Sequence, residues 1–199
     1  MNTPPTESRD LTIQARNRQG KPRPEARRLL PVTYFGPVSW YRQLVRAGLA
    51  AIDNTENYVK QTTRNHCIIG TANGPQKLTV PVAITHHPTA ITQVRLSDHD
   101  NWRQKHWNAI ATAYGQTPFF DYYADDLRPF FEQRQWEYLF DFNMDITRKM
   151  LELLDIGDVG VEREARPYWQ VHQQRTGFLP DLSILDLLCN QGPESVFYL

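Results

Sequence analysis

The spacing of hydrophobic positions changes near residue 100. Before it, apolar residues alternate with polar ones or form short runs, as in Leu29–Phe35 and Cys67–Ile69, which is typical of strands. After it, they recur every three or four positions, which is typical of amphipathic helices. The order predicts an α+β fold, in which a mixed β-sheet in the N-terminal half packs with helices mainly from the C-terminal half.

Turn and capping residues set the predicted boundaries. The predicted strands are Leu29–Phe35, Thr55–Lys60, Asn65–Ile69, Lys77–Ile84 and Ile91–Leu96. The predicted helices are Ser39–Gly48, Asn101–Tyr114, Asp121–Phe131, Glu132–Leu154 and one that starts at Ser183. Asn73-Gly74 predicts a hairpin turn, and Pro81 predicts an edge or a bulge. Asp100 or Asn101 is expected to cap the second helix, and Ser183 with Asp186 resembles a capping box.

Composition narrows the function classes. The chain has 199 residues with 22 basic and 22 acidic side chains, so its overall field does not favour nucleic acid or an anionic membrane. Neither a signal peptide nor an apolar stretch of the roughly 20 residues needed for a membrane span is visible. The two cysteines have no metal-ligand spacing, and a cytoplasmic location is expected.

The first 28 residues differ from the rest. They hold seven basic and three acidic side chains and few large apolar groups, so we expect a disordered basic tail (1–28) followed by a single domain (29–199). Two interpretations stay open for the tail, a basic arm that touches phosphate or membrane and a solubilising extension without a role.

Candidate chemistry gathers at the mouth of the predicted hairpin and on the following helix. Lys60 and Arg64 could hold a phosphate or carboxylate, and Asn65 could orient a carbonyl or close the turn through its own backbone bonds. Tyr34 ends the first strand, where α/β proteins border ligand crevices. His106 is suited to proton transfer, although a core histidine bonded to the backbone fits the apolar face equally well.

The motifs together resemble the WbqC-like family. Those that carry the resemblance are Tyr34–Tyr41, Tyr58–Ile69, Gly74–Val82, Trp102–His106 with Tyr114 and Pro118, and Phe178–Leu188 followed by Asn190–Pro193. They stand in the family's order between residues 29 and 199. The chain departs from the family at His66, where a second arginine is usual, and in its long basic tail.

The resemblance implies a bacterial enzyme of surface-polysaccharide (O-antigen-like) or nucleotide-sugar metabolism that transfers a group to or on a sugar. It implies catalytic roles for His106 and Lys60, and substrate-binding roles for Tyr34, Arg64, Asn65 and Trp102. The alternative is a noncatalytic scaffold that associates with glycan-assembly enzymes. No metal or cofactor signature is visible, and the substrate, donor and oligomeric state do not follow from the sequence.

Overall fold

A computed structural model describes residues 29–84, 86–156 and 166–199. The expected tail at 1–28 lies outside the described residues, so its disorder stays a prediction. The described residues form seven α-helices and six short strands. The helices are α1 Val38–Ala47, α2 Trp102–Tyr114, α3 Phe120–Leu127, α4 Pro129–Glu132, α5 Leu139–Leu153, α6 Gln173–Thr176 and α7 Ile184–Gln191. The α+β class is confirmed, and no helix in the described ranges is long and apolar enough to cross a membrane.

The strands pair in twos. They are β1 Leu30–Pro31, β2 Ile52–Asp53, β3 His66–Thr71, β4 Gly74–Thr79, β5 Val82–Ala83 and β6 Arg95–Leu96. β1 and β2 are parallel, whereas the pairs β3–β4 and β5–β6 are antiparallel. The predicted hairpin is confirmed, since Thr71 pairs with Gly74 across Ala72-Asn73 and Gly74 takes a φ of 104°. Pro81 has no amide hydrogen to donate, and it lies between β4, which pairs with β3, and β5, which pairs with β6.

Four predicted elements are wrong in detail. Leu29–Phe35 is a strand only at Leu30–Pro31, so Tyr34 does not end the strand but lies in a bend after it. Ile91–Gln93 forms a 3₁₀ turn, so only the end of the predicted strand Ile91–Leu96 is extended. Thr55–Lys60 contributes one isolated bridge, at Asn57. The predicted helix Glu132–Leu154 starts late, at Leu139, because the two preceding residues instead pair with β6. The amide of Leu96 donates to Glu137 O at 2.9 Å, and Tyr138 forms a bridge with Arg95.

Some of the expected helix ends and caps are confirmed, and others are wrong. Gly48 ends α1 with a φ of 78° and donates its amide to Leu44 O at 2.7 Å. Ser183 caps α7, where its hydroxyl accepts from the amide of Leu185. The predicted helix Ser39–Gly48 begins one residue earlier than expected, at Val38, so Ser39 lies inside α1. Neither Asp100 nor Asn101 caps α2 with its side chain, because both adopt positive φ and continue a 3₁₀ turn.

An aromatic core joins the two halves. Its rings are Tyr34, Phe35, Trp102, Phe130, Phe131, Trp136 and Phe142, which contact one another at centroid distances of 5.0 to 6.5 Å. Phe142, on α5, is fully buried among them. Large rings buried in this way contribute much of a core's stability. They also fix α2 against the bend that follows β1, where the candidate site lies.

Candidate functional site

Tyr34 and His106 form a buried hydrogen-bonded pair. The Tyr34 hydroxyl lies 2.8 Å from Nδ1 of His106, across 72 positions of sequence. Tyr34 is fully buried and His106 is 5% exposed. The structure therefore brings together two of the residues predicted from separate motifs.

Trp102 completes this cluster from the first turn of α2. Its ring lies 5.1 Å from that of His106 and 6.5 Å from that of Tyr34. The indole NH donates to Ser97 O at 2.8 Å, which fixes the ring orientation. Helical spacing places Trp102 and His106 on one buried face, as the sequence predicts. We call Tyr34, Trp102 and His106 the Tyr–His cluster.

The histidine of this cluster is neutral at physiological pH. Burial lowers the pKa of His106 from 6.5 to about 4, although a hydrogen bond with the backbone of Thr79 opposes this shift. Because that bond raises the pKa, the ring donates to Thr79. A neutral imidazole has one N–H, so Nδ1 is left to accept the hydroxyl proton of Tyr34. Burial also raises the pKa of Tyr34, so the phenol keeps its proton.

Asn65 lies at the hairpin mouth and is bonded mainly to the backbone. Its side-chain amide donates to Val80 O at 3.1 Å, and its own carbonyl accepts from the amide of Val80 at 2.8 Å. The side-chain oxygen of Asn65 is buried without a hydrogen-bond partner among the described residues. This oxygen is the group of Asn65 that remains for a ligand. The hydrogen bonds to Val80 agree with the other interpretation of Asn65, in which the residue closes the turn.

Arg64 and Lys60 do not belong to the Tyr–His cluster. The Arg64 guanidinium forms a two-pronged ion pair with Glu56, with Nε at 2.9 Å from Oε1, and Nη1 donates to Thr62 at 3.1 Å. Lys60 is exposed on the turn before it. The predicted anion-holding roles of both residues stay predictions, and for Arg64 the Glu56 carboxylate occupies the face that a ligand would use.

The sequence interpretation missed Arg103, which follows Trp102 in α2. The residue as a whole is 5% exposed and its guanidinium lies 4.5 Å above the Trp102 ring. Burial lowers its pKa, whereas the carboxylate of Asp98 raises it. A buried cation is costly unless it is compensated, which makes this position unusual for a charged residue. The one feature of the sequence that could have identified Arg103 is its position beside Trp102, on the buried face of a helix turn that carries an aromatic residue.

Asp186 is a second buried charge that the sequence did not single out for chemistry. It is 2% exposed, and its carboxylate accepts from Tyr168 at 2.9 Å and from Gln170 at 3.1 Å. Burial raises its pKa to about 6. The capping-box expectation is wrong for this residue, because its carboxylate turns to these partners while the amide of Ser183 donates to Ile68 O.

The sequence model of the WbqC-like protein family matches residues 33–165. The match covers more than half of the chain, and it includes the Tyr–His cluster, the hairpin and Arg103. The chain therefore belongs to the WbqC-like protein family, as the resemblance predicted. The final motif, from Phe178 to Pro193, lies outside the matched range. Among curated proteins and solved structures, no match to the chain is found.

Proposed function

We propose that the chain is an enzyme of surface-polysaccharide or nucleotide-sugar metabolism that transfers a group to or on a sugar. The observation that supports it most is the Tyr34–His106 pair, in which a neutral imidazole accepts from a phenol at 2.8 Å. A neutral nitrogen can take a proton, and a phenol beside it can pass one on. Membership of the WbqC-like family supplies the sugar-related context that the sequence resemblance implies.

Each residue then has a definite part. As a sugar hydroxyl or amine forms its bond to the transferred group, the bond between that group and the rest of the donor breaks, and the leaving group departs with the bonding electrons as an anion. The attacking oxygen or nitrogen loses a proton, which His106 receives through the Tyr34 hydroxyl. The unbonded side-chain oxygen of Asn65 accepts from a hydroxyl or amide of the substrate. Trp102, whose ring is buried 5.1 Å from that of His106, holds the histidine in place, and its predicted contact with the substrate stays a prediction. Lys60 contacts one anionic group of the donor, and Arg64 does so only by exchanging Glu56 for it.

Ligand-induced stabilisation tests the donor class. The purified protein is melted with nucleotide sugars, acyl donors and free nucleotides, together with the variants Lys60→Ala and His106→Gln. A ligand at about 100 times its dissociation constant stabilises the folded state by roughly 2.7 kcal/mol. We expect a nucleotide sugar to raise the melting temperature and Lys60→Ala to reduce the rise.

Lys77→Ala is the matched control, because Lys77 is an exposed lysine on β4, in the hairpin that follows Lys60. It should leave the rise unchanged. If no nucleotide sugar stabilised the folded wild type, the proposed donor class would be refuted. If Lys77→Ala and Lys60→Ala reduced the rise equally, Lys60 would have no specific part in it.

A noncatalytic scaffold is the second candidate, and exposed aromatic side chains near the C-terminus favour it. Trp169 is 47% exposed and Phe178 is 43% exposed, and Phe178 packs at 5.9 Å against Tyr168. Exposed aromatics of this kind recur at protein interfaces. In cells, Trp169→Ser and Phe178→Ser should then disturb the glycan while His106→Gln leaves it intact. An enzyme predicts the reverse.

A further inference from the structure

A polar cavity of about 290 Å³ opens beside the Tyr–His cluster. It lies between β6, the first turn of α2 and the 134–137 segment that precedes α5. Its lining residues are Arg95, Leu96, Asp98, Arg103, Arg134, Gln135, Trp136 and Glu137. We call it the arginine cavity. Because α2 contributes both Arg103 to this cavity and His106 to the cluster, a ligand in the cavity would lie close to the proposed proton acceptor.

Arg103 makes this a built site and not a chance grouping of surface charges. Its side chain is 6% exposed and is held above the rings of Trp102 and Phe142, at 4.5 and 5.6 Å. Nη1 donates to Phe130 O at 3.3 Å. Nε is buried without a hydrogen-bond partner among the described residues, since Asp98 lies 3.5 Å away, too far for a good hydrogen bond. The buried guanidinium therefore retains unused donor capacity.

The charges around the cavity favour an anion. Three arginines face two carboxylates, and Arg95 already pairs with Glu137. Of these two carboxylates, Asp98 alone pairs with the other two arginines, at 3.5 Å from Arg103 and 3.4 Å from Arg134. One carboxylate shared between two guanidinium groups at these distances leaves a net positive charge. Its weak contacts can be displaced by a ligand that bonds both arginines.

We propose that the arginine cavity binds a phosphoryl group, held between Arg103 and Arg134. A phosphate offers oxygens in several directions and up to two negative charges, so it can accept from two guanidinium forks at once. The exposed Arg134 lies at the rim and the buried Arg103 at the floor. Assigning this phosphoryl group to the sugar donor rests on the proposed function, whereas the anion site itself does not.

Calorimetric titration with inorganic pyrophosphate tests the site on the full-length protein at low salt. Arg134→Gln should weaken binding about tenfold, the loss expected for one charge-assisted bond. Asp98→Asn should tighten binding several-fold, because it removes the carboxylate that competes for both arginines. Arg103→Lys keeps the charge but loses the fork, and should also weaken binding. A merely structural role for these residues would not make one substitution strengthen binding.

Arg148→Gln is the matched control, because Arg148 is an exposed arginine paired with Asp145 at 2.8 Å and outside the arginine cavity. It should change pyrophosphate affinity less than twofold. Equal weakening by Arg148→Gln and Arg134→Gln, or no binding at about 10 mM pyrophosphate, would overturn the proposal. So would acetate binding as tightly as pyrophosphate with the same variant pattern, since the site would then select a carboxylate.

The titration separates this site from the proposed function. Pyrophosphate binding with the expected effects of the variants would support the phosphoryl site in the arginine cavity. If no nucleotide sugar then stabilised the protein, only the proposed donor class would be refuted. Stabilisation by a nucleotide sugar that Arg134→Gln leaves unchanged would overturn the cavity as its phosphoryl site, while the donor class stands.

Discussion

Replacing His106 with glutamine tests whether the buried histidine is neutral. Glutamine has a similar reach and can donate and accept hydrogen bonds, but it does not titrate. In the folded protein burial lowers the pKa of His106 from 6.5 to about 4. In the unfolded chain the ring returns to its ordinary pKa, so as pH falls the unfolded state gains a proton first.

The direction and size of the effect follow from this difference. The folded pKa is lowered, so the stabilisation is complete above pH 6.5 and is lost as pH falls through about 4. The full loss corresponds to about 3 kcal/mol, of which about 2 kcal/mol is gone by pH 5. We expect the wild type to lose this amount relative to His106→Gln between pH 7.5 and pH 5.

Urea unfolding at several pH values measures the difference directly. Other titrating groups, including Asp186, are common to both proteins and cancel in the comparison. His99→Gln is the control, because His99 is exposed just before α2, and its stability should run parallel to the wild type. If the His106→Gln and wild-type curves also ran parallel from pH 7.5 to pH 5, the neutral buried histidine would be refuted.

Three further changes probe the fold around the site. Asp186→Asn removes a carboxyl whose pKa is raised to about 6 in the folded protein. Because the folded state binds this proton more tightly than the unfolded chain, the stabilisation is present at low pH and is lost as pH rises. In urea unfolding the variant should gain about 2 kcal/mol on the wild type between pH 4.5 and pH 7.5. Ser183→Ala removes the cap of α7 and should cost about 1–2 kcal/mol by thermal unfolding. Gly192→Ala places a Cβ 2.5 Å from the Phe119 ring at a φ of 55°. It should cost about 1–3 kcal/mol more than Gly48→Ala, whose Cβ meets nothing within 4 Å and whose cost is backbone strain alone.

Each of these outcomes can be contradicted separately. Parallel pH profiles for Asp186→Asn and the wild type would show that the carboxyl ionises normally. An unchanged melting temperature for Ser183→Ala would show that the Ser183 cap does not stabilise the protein. Equal costs at Gly192 and Gly48 would mean that the Phe119 ring moves aside without penalty.

The local part of the structure could be predicted from sequence. Asn73-Gly74 predicts the hairpin turn and Gly48 the end of α1, because each depends on the conformational preference of a few neighbouring residues. The helical spacing of Trp102 and His106 predicts their common buried face. These expectations needed no knowledge of which segments meet in three dimensions.

The partners of charged groups could not be predicted in this way. Arg64 pairs with Glu56 because the loop between them folds back on itself, and hydrophobic spacing does not determine such a return. Arg103 is buried because Phe130 and Phe142 come from distant helices to enclose it. The main difference between the predicted and the observed site is therefore the arginine. The sequence predicted Arg64, whereas Arg103 lines the cavity.

The composition of the surface glycan of the cells that make this protein, measured by mass spectrometry, tests the proposed function most directly. Cells would carry His106→Gln, or His99→Gln as the control, in place of the wild-type gene. A group-transfer enzyme that depends on the Tyr34–His106 pair predicts that His106→Gln gives the glycan of the deletion strain, which differs from that of the wild type, while His99→Gln gives the wild-type glycan. A folded and abundant His106→Gln protein with an unaltered glycan would contradict the account.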